Sequence, residues 1–479
     1  MARLVDLVIP LLVMLAACQK ESKLYCDQNP GQDGCPDPDA SGSSRPACSA
    51  SPDCKTAELP VCDTTKEGGQ CVACTQADHG ACGGMTPRCE NDSCVACIDD
   101  GDCPSSVCLL NGACADAATV VHAVATGGAS TSDCGQPLPL GQGACTLEQA
   151  LSNARGKGPT VIKLDDNATY APANNNFRVE PDADIVLDLR AGATLTRRST
   201  SDGAVITVNG TGNASGKLTM LGGTISGGHS GGSNPGDGVA CTSNGPLIID
   251  QTRITANDAS AINTTSCTAT ITRAQIDNNN QTGTLTPAIR ISNGSVTLVR
   301  STIQNNRGGG LDIGSATFIV VGNVFAGNGS TGNVGGITIN TEETGNRLEF
   351  NSIAENKSQS LVAAGLSCAA GPDFVAANNI IWNNNSALTA TSIQVSGCRQ
   401  RYSDIGPTTF SNALDAGNNK NTNPMFVNAT SDLHLTAASP LSDLAADSQA
   451  SITGVASLDI DGNLRSVPAT MGADQPRAK

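Results

Sequence analysis

Between residues 220 and 385 short runs of aliphatic and β-branched residues alternate with Asn and Gly, and one motif keeps returning: a bulky apolar residue followed three positions later by Asn. It appears as Ile254/Asn257, Ile276/Asn279, Ile303/Asn306, Phe325/Asn328, Ile353/Asn356 and Ile381/Asn384, with successive anchors 22, 27, 22, 28 and 28 residues apart. A second alternating run precedes most anchors by about 12 to 14 residues, at Val239/Cys241, Ile289/Ile291, Leu311/Ile313, Ile337/Ile339 and Leu366/Cys368, usually after a Gly. A period of two predicts short strands with one buried face, and no 3.6-residue period persists here. One segment upstream differs. In Cys145–Ala154 the residues Leu147, Ala150, Leu151 and Ala154 share a face, Thr146 and Gln149 have capping-box spacing, and Gly156 stands just past the end, so the pattern predicts one amphipathic helix over about 146–155.

Two or three short strands per 22 to 28 residues, in register, are the signature of a parallel β-helix, in which each coil buries its inward residues only by stacking on its neighbours. Like residues stacked at about 4.8 Å make aliphatic ladders, and Asn at a tight turn tolerates left-handed backbone and hydrogen-bonds to the next Asn. A helical solenoid lacks its period here, and a β-propeller would need longer repeats with aromatic signatures. The fold class is therefore all-β, and the pattern resembles right-handed parallel β-helix proteins over about residues 145–415. The Cys145–Ala154 stretch is similar to the Cys-Ser-Leu-Arg-Glu-Ala segment that opens many bacterial β-helix surface proteins, with Glu148 and Gln149 replacing Arg and Glu. In that setting the helix caps the first coil, and Cys134 with Cys145 is a natural bracing pair. Cys241 and Cys267 lie about one coil apart, as do Cys368 and Cys398, each later cysteine about three positions past the equivalent place, so both pairs are candidate staples between adjacent coils.

The C-terminal stretch Asn423-Pro424-Met425-Phe426, Asp432-Leu433-His434-Leu435, Ser439-Pro440-Leu441, Asp459 to Arg465 and Met471-Gly472-Ala473-Asp474 resembles the choice-of-anchor Q domain that ends many bacterial β-helix proteins, departing in Met471 and Gln475. The resemblance implies a lid over the last coil that blocks edge-to-edge pairing. His434, between two leucines, reads as a packing residue.

Composition changes the picture in front of the β-helix. Twenty-one cysteines against 11 aromatic residues leave an aliphatic core and many candidate cross-links. From Cys48 to Cys114 they fall into three blocks of four: Cys48, Cys54, Cys62, Cys71; Cys74, Cys82, Cys89, Cys94; and Cys97, Cys103, Cys108, Cys114. The first two blocks end alike, Cys71-Val72-Ala73-Cys74 and Cys94-Val95-Ala96-Cys97, which marks a tandem repeat too small for an apolar core. Disulfides supply the missing stability, with three pairings open per block. The zinc-ribbon alternative on Cys71-x-x-Cys74 and Cys94-x-x-Cys97 is disfavoured by Cys82 and Cys89 in its gap and by export, and His79 reads as a loop residue.

Export follows from the first 18 residues: Arg3, eleven apolar residues from Leu7 to Ala17, then Leu15-Ala16-Ala17-Cys18. A bilayer needs about 20 apolar residues, so this is a leader rather than a span. Its ending resembles the lipobox of bacterial lipoproteins. The resemblance implies cleavage before Cys18, lipidation there, and, with Gln19 next, sorting to the outer membrane of the cell envelope. Residues 18–47, rich in Pro, Gly, Asp and Ser, read as a tether holding Cys26 and Cys35. The domain layout expected is 1–17 signal peptide, 18–47 tether, 48–116 cysteine-rich repeats, 117–415 β-helix and 416–479 C-terminal cap. A formal charge of −16 repels phosphate backbones, so nucleic acid is not an expected partner. A polysaccharide or another envelope protein is; oligomeric state is left open.

The same fold carries polysaccharide lyases and glycoside hydrolases, which makes a carbohydrate-active enzyme the competing reading. The residues do not complete a site. Hydrolysis needs carboxylates converging from neighbouring coils, and a lyase needs acidic Ca²⁺ ligands beside a base. The positions after the anchors, Thr255, Asp277, Gln304, Ala326, Ala354 and Trp382, hold one carboxylate, and Gly228-His229-Ser230 lacks the upstream acidic pair of polygalacturonases. Asp237, Asp250 and Asp258 could approach one another, yet solvated surface positions are the better expectation for all three. Arg273 and Arg300, each three residues before its anchor, form a basic pair without an acidic metal site beside it. Asp459-x-Asp461-Gly462-Asn463 has Ca²⁺-loop spacing without the downstream Glu, so a turn with Arg465 paired to Asp474 is preferred and no cofactor is expected. The function read from the sequence is a membrane-anchored, non-catalytic surface protein for adhesion or envelope binding.

Overall fold

The computed structural model describes residues 45–131, 134–135, 143–173, 175–197, 202–211, 214–231, 234–242, 244–280, 285–329, 334–359, 363–368, 375–386, 393–408, 410–441, 454–466 and 469–475. The leader, Cys18, Cys26 and Cys35 lie outside the described residues. The chain divides between Ala115 and Asp116 into two compact units.

In the first unit, β1 (Val61–Asp63) pairs antiparallel with β2 (Gln70–Val72), and β3 (Arg88–Glu90) with β4 (Ser93–Val95). Each block bonds its first cysteine to its third and its second to its fourth: Cys48–Cys62 and Cys54–Cys71, Cys74–Cys89 and Cys82–Cys94, Cys97–Cys108 and Cys103–Cys114. The third and fourth cysteines face each other across each hairpin, as Cys62 and Cys71, Cys89 and Cys94, Cys108 and Cys114. Facing residues belong to different bridges, so each hairpin is tied back twice to the loop preceding it.

The second unit is a parallel β-helix. Each coil contributes a strand of up to six residues to sheet 1, then one of two or three to sheet 2, then one of two to four to sheet 3. The sheets hold eleven, ten and nine strands among the described residues, every pairing within them parallel. The sheet 2 ladder runs Tyr170, Leu195, Ile225, Ile254, Ile276, Ile303, Phe325, Ile353, Ile381, Ile405, so all six anchors stack in one column inside the barrel. Their Asn partners form a second column. Asn257, Asn279, Asn306, Asn328 and Asn356 each donate from Nδ2 to Oδ1 of the next at 2.9–3.0 Å, and Asn384 ends the series on Oε1 of Gln394. The same oxygens accept backbone N–H groups, so the buried turn is saturated. The glycines before the sheet 3 strands fit against this column: a Cβ on Gly336 would lie 2.7 Å from Ile353 Cγ2 and 3.1 Å from Asn356 Nδ2.

Both ends are covered. Helix α1 (Leu147–Asn153) buries Leu147, Ala150 and Leu151 against the first coils, braced by the Cys134–Cys145 disulfide. The capping box is half made. Thr146 Oγ1 accepts from the Gln149 amide, but the Gln149 side chain turns along the helix to Asn153 Oδ1. At the far end the expected lid is displaced. Residues 415–420 pair with the last coil, through Ala416 N to Gln400 O and Ile405 N to Lys420 O, while Phe410 and Leu414 pack on the core. The described residues between Phe426 and Asp474, expected on the last coil, lie instead along the flank of sheet 2. There Leu433 and Ala473 cover Val324, Ala326 and Ala354, and Met471 and Leu435 cover Ile380. Apolar residues at outward positions of those coils are what select this placement. Gly472 docks with φ of 86° where a Cβ would meet Ile380 Cδ1 at 2.5 Å.

Cys241 is bonded to Cys267 and Cys368 to Cys398. Their offsets differ from the reading above. Cys241 faces Thr264, three positions before Cys267, but Ser367 faces Ser396, which puts Cys398 only one position past the equivalent of Cys368. The shorter offset comes from the longer coil, 28 to 29 residues there, which shifts the register.

Candidate functional site

The acidic grouping weighed from the sequence is not formed. Asp250 ends a sheet 1 strand, whereas Asp237 and Asp258 lie on turns from sheet 2 to sheet 3, with the strand Arg253–Thr255 between them. Nor are they all solvated: Asp237 and Asp250 are buried. Asp250 is clamped by Arg273, with Thr272 Oγ1 on its Oδ1 at 2.5 Å. Arg273 and Arg300 have Asp250 and Asp459 as carboxylate neighbours. Burial and Arg273 lower the Arg300 pKa while Asp250 and Asp459 raise it. The single carboxylate in the row after the anchors, Asp277, is likewise spent. Burial raises it, but bonds from Arg253, Thr255 and Asn278 bring it below the usual carboxylate range.

Asp237 belongs to a different arrangement, on the outer face of sheet 3. The outward row of that sheet reads Thr207, Ala240, Asn263, Arg290, Asp312, Thr338, followed by Ser367 and Ser396, one residue per coil about 4.8 Å apart. Asp237, at the sheet edge, accepts from Ser260 N at 2.9 Å and from Asn263 Nδ2 at 3.0 Å, which orients the Asn263 amide. Burial holds its carboxyl above the ordinary range, against those two bonds and Arg290. Burial also raises Asp312, with Arg290 opposing. Arg290 is exposed, and neither it nor Asp312 makes a hydrogen bond or close ion pair among the described residues. Sequence reasoning missed both. The signal was present, since Arg290 stands between Ile289 and Ile291 and Asp312 between Leu311 and Ile313, the outward place of strands already recognised.

The rim of this face carries three consecutive turns from sheet 2 to sheet 3, holding Asp202, His229 and Asp258. His229 Nδ1 is 2.7 Å from Asp258 Oδ2, which also accepts from Ser230 N at 3.1 Å, and Asp202 Oδ1 stands 4.0 Å from Nε2.

On the flank, Asp459 does not present a cation loop. Its Oδ1 accepts from the amides of Asp461 and Asn463. Arg465 is not hydrogen-bonded to Asp474: it donates to the carbonyls of Thr470 and Ala473 and lies 4.4 Å over the Phe350 ring, and burial brings its pKa down to about 10. His434 is no packing residue either. It is partly exposed, with Nδ1 on Asp432 and Nε2 3.2 Å from Asp461 Oδ1. Alternation explains the error, for Leu433 and Leu435 point in and the residue between them must point out.

Residues 16–120 match the model of a family of unknown function (DUF8331). No curated protein matches the chain. Among solved structures, the crystal structure of pectate lyase Pel9A is similar with a TM-score of 0.47 and 13% identity, over 75% of this chain and 96% of that one.

Proposed function

We propose that this protein is a lipid-anchored surface protein of the bacterial envelope that binds an extended polysaccharide along the outer face of sheet 3 without cleaving it. The observation that carries the binding role is a contrast in how charge is used. On the outsides of sheets 1 and 2 three guanidinium groups are committed, Arg253 to Asp277, Arg273 to Asp250 and Arg347 to Glu349, although Arg399 on sheet 1 has no such partner among the described residues. On sheet 3, Arg290 and Asp312 stand in a polar row with their hydrogen-bonding capacity unspent. Polar side chains spaced at a fixed rise offer successive contacts to an extended ligand lying along the same axis, and an arginine beside a carboxylate suits hydroxyl and carboxylate groups of sugars.

The anchor rests on the leader and Cys18, and the choice-of-anchor Q resemblance of the C-terminal stretch fits a surface protein. With Cys18→Ala, palmitate labelling should stop and precursor should accumulate. For the binding face, the full chain is applied to an array of envelope and environmental polysaccharides. Capture that falls at least tenfold with Arg290→Ala, at unchanged thermal midpoint, supports the reading; capture indifferent to Arg290→Ala and Asp312→Asn overturns it. His229 on Asp258 at the rim favours one second reading, cleavage of the bound polymer, since it has the form of an oriented general base. Reducing ends or unsaturated uronate released by the wild type and lost with His229→Ala would establish that reading instead.

A further inference from the structure

We propose that His434, Asp461 and Asp474 form a binding site for one Zn²⁺ ion on the flank of the β-helix. Three segments distant in sequence bring these side chains together: the strand Asp432–Leu435, the Asp459–Asn463 turn and the stretch ending at Gln475. One potential ligand atom from each lies within 4.8 Å of the others.

Three features point to a cation rather than to an acidic surface. The imidazole is already oriented: Nδ1 bonds Asp432, which leaves Nε2 aimed at Asp461, the arrangement of a histidine ligand held by an outer carboxylate. Asp474 is 5% exposed, and only its Oδ2 is used, by the Leu435 amide at 2.8 Å. Its Oδ1 has no hydrogen-bond partner among the described residues and is left available to a ligand. The cluster is also rich in carboxylates: Asp432, Asp461 and Asp474 act on one imidazole, while Arg465 directs its donors at the carbonyls of Thr470 and Ala473 and Arg300 lies nearer Asp459.

The donor set selects the ion. One imidazole nitrogen and two carboxylates, with His434 and Asp461 about half exposed, match a zinc site that keeps a position for water. Ca²⁺ takes six to eight oxygens, and Asp459, which would have to supply some, is spent on its own turn. The ion would cross-link three segments of the flank.

The test uses the full-length oxidised chain, stripped with chelator, dialysed against Zn²⁺ and measured by elemental analysis and calorimetry. One Zn²⁺ per chain is expected, with a raised thermal midpoint. His434→Gln and Asp461→Asn, at partly exposed positions that leave the fold intact, should each abolish stoichiometric binding. Asp432→Asn should weaken it by about 10- to 100-fold, a readout that a merely structural Asp432 would not move. His229→Ala should leave it unchanged. No retained Zn²⁺, stoichiometric Zn²⁺ in both ligand variants, or preference for Ca²⁺ over Zn²⁺ would each overturn the assignment.

Discussion

The two units bury different things. Between Cys48 and Cys114 the buried side chains are chiefly half-cystines, with Val61, Val72 and Val107 among few aliphatic residues. In the β-helix they are columns of Ile, Leu, Val and Phe beside a column of Asn. The first unit has repeats too short to shelter an apolar core, so its order rests on bridges closing loops of 11 to 17 residues, each worth about 3 kcal/mol. The second makes order by repetition, each coil serving as the wall of the next. Tandem repetition thus stabilises in two ways, locally by covalent closure and collectively by stacking.

Reduction should separate the two most sharply. With reductant under native conditions, amide-exchange protection around 61–72 and 88–95 should collapse while the sheet 1 strands Ser295–Val299 and Thr317–Val321 keep theirs. Equal loss in both units would mean that the β-helix also depends on its three staples. The next largest effect lies within the stack. Ile303, fully buried between Ile276 and Phe325, should cost about 4 kcal/mol or more as Ile303→Asp, because the charge has no partner there. Gln304→Asp, half-buried on the outer face, should cost less than about 1 kcal/mol. Similar midpoints in denaturant melts of the two variants would refute the inward and outward assignment.

A titration probes the end of the stack. Asp404 is buried in the last coil, and burial pushes its carboxyl up to about 7, with the Thr422 amide opposing. Between the ordinary value of 3.8 and about 7 the folded chain holds more protons than the unfolded one, so stability falls as pH rises through that window and levels off above it. Exchange protection at Ile405 should follow that slope, and Asp404→Asn should flatten it. A slope unchanged in the variant would assign it to another group.

What could be read in advance follows from where information is local. The anchor and Asn columns, the helix and the inter-coil cysteine pairs depend on spacing within one or two coils, and spacing is printed in the chain. A second polar column escaped notice although its signal was equally local: Asn323, Asn351 and Asn379 stand two residues before their anchors, and their Oδ1 atoms accept the amides of Ser301, Asn323 and Asn351. The candidate site was largely illegible for another reason. Arg290 and Asp312 matter because of what fails to pair with them, and the His434 cluster because three distant segments meet. The misplaced lid has the same cause, for the hydrophobic outer positions Ala326 and Ala354 announce that something covers them without saying which segment does.

The smallest effect sits where the two modes of stabilisation meet, at α1, which closes the stack and is itself braced by Cys134–Cys145. Thr146 caps the helix through Oγ1, so Thr146→Ala should cost about 1 kcal/mol. In a reciprocal capping box Gln149→Ala would cost a similar amount. Here the Gln149 side chain reaches Asn153, whose Nδ2 in turn donates to Cys134 O at 3.3 Å. Gln149→Ala should therefore cost only about 0.2–0.5 kcal/mol, the size of a pair along a helix surface. The loss should grow little when Cys134 and Cys145 are both replaced by Ala, since the shorter of the two Asn153 contacts goes to the Cys134 carbonyl and the longer to its sulfur. Equal costs for Thr146→Ala and Gln149→Ala in thermal melts would restore the reciprocal box; a Gln149 cost that depends on the disulfide would show that the bridge, rather than the cap, holds the helix on the first coil.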